Sequence, residues 1–68
     1  MNTHTIVLCS PSLYLYQTID LPEDFTAADV NDAVKSKFGK EYGFKAIYPY
    51  GPYKRAVSST LTIVLRRD

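Results

Sequence analysis

Thr26-Ala27-Ala28-Asp29-Val30-Asn31-Asp32-Ala33-Val34-Lys35-Ser36-Lys37-Phe38-Gly39 decides the architecture, because its apolar residues recur at helical spacing between segments that alternate like strands. Ala27, Val30, Ala33, Val34 and Phe38 fall on one side, with Asn31, Asp32, Lys35 and Ser36 opposite. Such a helix lays one stripe on a sheet and leaves the rest wet. Thr26 followed by Asp29 resembles a capping box in which Asp stands for the usual Glu or Gln. Gly39 suits a left-handed C-terminal cap, and Lys35, Lys37 and Lys40 sit where cations favour the helix dipole. Phe25, just before the cap, is placed to staple onto Val30 or a near neighbour.

Upstream, Thr5-Ile6-Val7-Leu8-Cys9 is β-branched and apolar, and Ser10-Pro11-Ser12 stops it. Leu13 to Leu21 then alternates, with Leu13, Leu15, Ile19 and Leu21 on one face and Tyr14, Tyr16, Thr18 and Asp20 on the other. A short-looped hairpin is expected. Downstream, Phe44-Lys45-Ala46-Ile47-Tyr48 forms a third strand and Thr60-Leu61-Thr62-Ile63-Val64-Leu65 a fourth, with Arg66-Arg67-Asp68 solvated beyond it. The expected fold is therefore a single compact α+β domain over 1–68: a two-layer β-β-α-β-β unit, four-stranded and antiparallel, with one helix on one face.

Between the last two strands lies Tyr48-Pro49-Tyr50-Gly51-Pro52-Tyr53-Lys54-Arg55. Pro49 and Pro52 each remove a backbone donor and Gly51 tolerates positive φ, so the reading is a turn that interrupts the ladder. Rings on a stiffened loop lose little freedom on binding, which makes the segment a candidate recognition surface.

With 68 residues there is room for one modest core. Cys9 is the only cysteine, so no internal disulfide can form, and one thiol with one histidine cannot complete a four-ligand zinc site. Self-association is the remaining way to reinforce so small a fold. A net charge of +1 excludes the strongly basic balance of a duplex binder. No apolar run approaches the ~20 residues of a membrane span and Met1-Asn2-Thr3-His4 lacks the basic start of a secretory signal, so a soluble, cytoplasmic protein is expected.

If Ile6, Leu8, Leu13, Leu15, Leu61, Ile63 and Leu65 point inward, then Thr5, Val7, Cys9, Tyr14, Tyr16, Thr18, Thr62 and Val64 point out. That outer face is too apolar for plain solvent, although Val, Thr and Tyr are also common on idle exposed strands. A homodimer burying it is expected.

Catalytic signatures are missing. His4 reads as an idle surface histidine, and Cys9 as a small hydrophobe on the face opposite to it, so the two do not form a dyad. Glu23, Asp24 and Asp29 are explained by the helix start. Gly39-Lys40-Glu41-Tyr42-Gly43 follows a helix where a phosphate loop would precede one. Neither enzyme activity, cofactor, metal nor small-molecule substrate is expected. The functional expectation is a binding module, an accessory or modulator of the sort carried by phages and mobile elements. Tyr14, Tyr16, Tyr48, Tyr50, Tyr53, Lys54 and Arg55 are its contact residues, and another protein its partner. The alternative is single-stranded nucleic acid, RNA or DNA, stacking on the tyrosines with Lys and Arg at the phosphates.

Overall fold

The structure, a computed structural model, describes residues 2–68. Strand β1 (Asn2–Ser10), strand β2 (Thr18–Leu21), helix α1 (Ala27–Phe38) and strands β3 (Ala46–Tyr50), β4 (Tyr53–Val57) and β5 (Thr62–Arg67) follow in that order. All neighbours pair antiparallel in one sheet of order β2-β1-β5-β4-β3, with β5 central. The α+β class and the single helix on one face agree with the expectation from sequence; the sheet has five strands and not four.

The additional strand is β4, which the sequence reading had placed within the aromatic turn and its exit. Only Gly51 and Pro52 turn the chain. Gly51 has φ 59°, and proline supplies the negative φ that must follow, the combination of a type II′ hairpin turn whose twist matches its strands. The pair that closes such a turn, Tyr50 and Tyr53, is hydrogen bonded, so alternation leaves Pro49 opposite Lys54 at a position whose N–H would face away from the ladder. Pro49 lies on an outermost strand, where a missing donor costs nothing, and the ladder passes through it uninterrupted.

Two other segments depart from the sequence pattern. The expected strand over 13–21 is regular only from Thr18, and 11–17 is a loop pinned to β1 by the Tyr16 N–H donating to the Ile6 carbonyl at 2.7 Å and the Ile6 N–H donating to Gln17 at 2.7 Å. Leu13 is consequently exposed, whereas Ile19 and Leu21 are buried. In β1 the register against β5 slips between Ile6 and Leu8. Val7 is the extra residue of this bulge, and a one-residue insertion exchanges faces downstream of it. Leu8 therefore points away from the helix and Cys9 toward it, the reverse of the alternation-based assignment.

Helix α1 has the ends that its sequence specified. Thr26 accepts from the Asp29 N–H at 3.4 Å while its own N–H donates to the Asp29 carboxylate at 2.8 Å, and Gly39, at φ 74°, donates to Lys35 at 2.8 Å. Val30 and Val34 are fully buried against Ile6, Ile19, Leu21, Ile63 and Leu65, with Phe38, Ala27 and Ala33 packed around them. Phe25 meets the ring of His4 edge-on at 5.1 Å. Asn31 is not a solvated residue of the polar side. Its side chain accepts from the Phe44 N–H at 2.6 Å and donates to the Phe44 carbonyl at 3.1 Å, so both backbone groups of a buried residue on the way to β3 are satisfied by one amide. Asn31→Ala should lower unfolding free energy by about 1–3 kcal/mol by orphaning those groups, and thermal denaturation against Asn31→Gln, which keeps the amide but displaces it, checks this.

Candidate functional site: the open face of the sheet

Register fixes which side chains share the face that α1 leaves uncovered. Leu8, Val64, Arg55 and Tyr48 form one row across β1, β5, β4 and β3. Beside it, Tyr50 pairs with Tyr53 in β3 and β4, while Arg66, Thr5 and Thr18 continue across β5, β1 and β2. On the other side lie Ala46, Val57, Thr62 and Ser10. The face thus has an aromatic and cationic half on β3 and β4 and a hydroxyl-rich half on β1 and β2. Tyr48, Tyr50 and Leu8 remain 47%, 48% and 44% exposed. Val64, between Leu8 and Arg55 in the same row, is only 2% exposed.

Arg55 is the centre of the aromatic half. Its guanidinium carbon lies 5.5 Å from the Tyr48 ring centroid and 5.9 Å from that of Tyr50, within range of cation–π attraction. Its Nε is buried without a hydrogen-bond acceptor, and no carboxylate of the described residues pairs with this side chain. The other arginines differ. Arg66 donates to Asp68 at 3.2 Å and Arg67 to Glu23 at 2.8 Å. The Thr5 hydroxyl, donating at 2.6 Å, and then Arg66 hold the Asp68 carboxyl below its ordinary range, so that acid stays ionised and engaged.

Of the sequence-derived contact residues, Tyr48, Tyr50, Tyr53 and Arg55 come together here. Lys54 alternates to the helix side and is exposed there. Tyr14 belongs elsewhere, contrary to its assignment to the outer face. It stacks on Phe38 with centroids 3.8 Å apart and shares a 2.8 Å hydroxyl contact with Tyr42, which leans on Phe44, so these rings close the core beside the end of α1. Tyr16 lies in the 11–17 loop, 74% exposed, at φ 62°, a backbone region unfavourable for a residue with a Cβ. Leu8 was assigned inward because the bulge has no local signal: no glycine or proline stands near Val7.

Elsewhere, a groove of about 460 Å³ between β2 and α1 is lined by Asp20, Asp29, Asp32, Ser36 and Lys37, with the Lys37 ammonium bonded to the Thr18 carbonyl. A second, of about 250 Å³, adjoins His4, Phe25, Lys54 and Arg67. His4 is 3% exposed and not at a frayed surface, with Nδ1 3.1 Å from the Asn2 carbonyl. The bulge brings His4 and Cys9 to the same side, yet five residues of strand at about 3.3 Å each keep them roughly 16 Å apart. Cys9 donates to the Pro11 carbonyl at 3.0 Å. Among the described residues no helix is long and apolar enough to cross a membrane, and no group of three or more His, Cys, Asp or Glu is placed to hold a metal ion. No protein-family model, curated protein or solved structure matches the chain, so its residues alone carry the functional reading.

The hydrogen bond to Tyr42, then burial, pushes the Tyr14 phenol up from 10.0 to about 12. A raised folded-state value means stabilisation that is complete below pH 10 and lost as pH rises through about 12. In an absorbance titration of phenolate, the last-ionising tyrosine should disappear in Tyr14→Phe, and that variant's stability should fall less between those two pH values. Tyr16→Asn, relieving the left-handed strain at an exposed site, should raise unfolding free energy by up to about 1 kcal/mol, measured by urea denaturation.

Proposed function

We propose that this chain works by contact and not by turnover, as an accessory or modulator protein whose working surface is the tyrosine and arginine half of the open sheet face. The observation that carries this reading is Arg55, a cation flanked by two half-exposed tyrosines and paired with no acid among the described residues. Tyrosine and arginine are the residue types that concentrate binding energy at protein interfaces, and both are held here on paired strands. Leu8, on the same face, adds apolar area.

The second part of the proposal is self-association through this face. Pairing along an edge is disfavoured at both ends of the sheet. Strand β2 has four residues and runs into Pro22, and β3 turns Pro49, which has no donor, toward the outer side. The face is the surface that remains for a two-fold pair. A cytoplasmic setting, where the single thiol of Cys9 stays reduced, fits the same reading.

Single-stranded RNA or DNA is the second reading, favoured by the accessible rings of Tyr48 and Tyr50, on which bases could stack. Against it, Arg66 is engaged by Asp68, leaving Arg55 as the one uncompensated cation of this face among the described residues. Sedimentation at micromolar concentration should give twice the 7.7 kDa chain mass, reverting to one chain in a Tyr48→Ser, Tyr50→Ser variant that keeps its circular dichroism. Wild-type monomer throughout would reject self-association. A labelled oligonucleotide retarded at low salt and released steeply as salt rises would favour the nucleic-acid reading instead.

A further inference from the structure

We infer that Arg55 is the seat for a carboxylate of a different protein: the occupant of the open face is a peptide segment presenting Asp or Glu beside an apolar side chain. The inference rests on the contact reading above and specifies its partner.

It begins with what a second copy can offer. Two sheets pack face to face with strands aligned to within about 30°. A dyad parallel to the strands keeps each residue opposite its own row, and the row of Arg55 contains Leu8, Val64 and Tyr48. A dyad across the strands keeps each residue opposite its own strand, and the open-face residues of β4 are Tyr53, Arg55 and Val57. Neither set contains an acid. The acids of the face are Asp20, bonded by the Thr3 hydroxyl at 3.3 Å, and Asp68, held by Thr5 and Arg66. Asp68, just past the end of the central strand, lies four residues beyond Val64, roughly 13 Å from the row of Arg55 at about 3.3 Å per residue. A second copy thus covers the tyrosines and leaves the guanidinium unmatched, so a segment that supplies the carboxylate competes with self-association for the same face.

The site itself suits one oxyanion. Tyr48 and Tyr50 hold the guanidinium against their rings, so little side-chain freedom is lost when its remaining N–H groups meet a planar, bidentate acceptor. Leu8 in the same row provides the apolar ledge for a neighbouring side chain. A phosphate chain would ask for a track of cations, and this face has one that is unengaged among the described residues. A protein segment asks for one charge and a greasy neighbour.

The test is selection of a random phage-displayed peptide library on the intact chain, followed by anisotropy with a labelled synthetic copy of the most enriched peptide. Expected are peptides with Asp or Glu next to Leu, Phe or Trp, a roughly tenfold or greater affinity loss in Arg55→Gln, as for loss of a charge-assisted pair, and a smaller loss in Arg55→Lys, which keeps the charge and an aliphatic stem. Selection on Arg55→Glu should enrich Lys and Arg. Peptides without acidic residues, affinity indifferent to Arg55→Gln in a folded protein, or no peptide selected at all would overturn the inference. If binding then still fails on Tyr48→Ala, or the wild type still sediments as a dimer, the contact face stands and only its partner's chemistry is wrong. A (dT)12 or (rU)12 probe that binds and is lost with Arg55→Gln would overturn it in favour of phosphate.

Discussion

One helix has to cover a sheet of five strands, and the rest of the molecule follows from how it does so. A helix of twelve residues is roughly 18 Å long at 1.5 Å per residue, and it buries a single stripe. Val30 and Val34 therefore shield the β2, β1 and β5 side of the inner face, and the chain fills the remainder with Tyr42, Phe44 and Ile47 on its way from α1 into β3. Asn31 fixes that crossing by satisfying both backbone groups of Phe44. No second layer is left for the other face. Its side chains must shield one another, as the buried Val64 in the row of Leu8 and Arg55 is shielded, or meet something from outside.

The parts of the fold legible in sequence are those set by short-range chemistry. Thr26 with Asp29 and Gly39 mark the two ends of α1 because a capping hydroxyl and a left-handed glycine act within one turn of backbone. The alternation of Leu61, Ile63 and Leu65 gave the central strand its inward face for the same reason. The misread parts depend on partners distant in sequence. Whether Pro49 breaks a ladder depends on which side of β3 carries a neighbour, and that is settled by strand order, not by proline. Whether Tyr14 faces solvent depends on Phe38 and Tyr42, far along the chain. The grouping of Tyr48, Tyr50, Tyr53 and Arg55 was visible as a cluster in sequence, but not that it lies on a strand pair with the side chains of Lys54 and Arg55 on opposite sides.

That distinction matters for function. Tyrosines on a loop tip would adapt to many shapes, whereas tyrosines at hydrogen-bonded positions of a hairpin present a fixed spacing. The Gly51-Pro52 turn imposes the twist of that hairpin, so the spacing between the rings and the guanidinium is set by backbone geometry. Recognition by such a surface is selective for partners that already carry matching groups at matching intervals.

The bulge at Val7 bears on oxidation chemistry. Because the bulge leaves Val7 without a partner, Leu8 and Cys9 stay in register with Val64 and Ile63 and the sulfur of Cys9 is sealed inside, bonded to the Pro11 carbonyl, so the thiol's protection from oxidants rests on that irregularity of the backbone and not on side-chain identity. Were β1 to run regularly through Val7, the same thiol would turn outward among the threonines, open to oxidation or crosslinking, whereas loss of Val7 would only remove the bulge and leave Cys9 opposite Ile63.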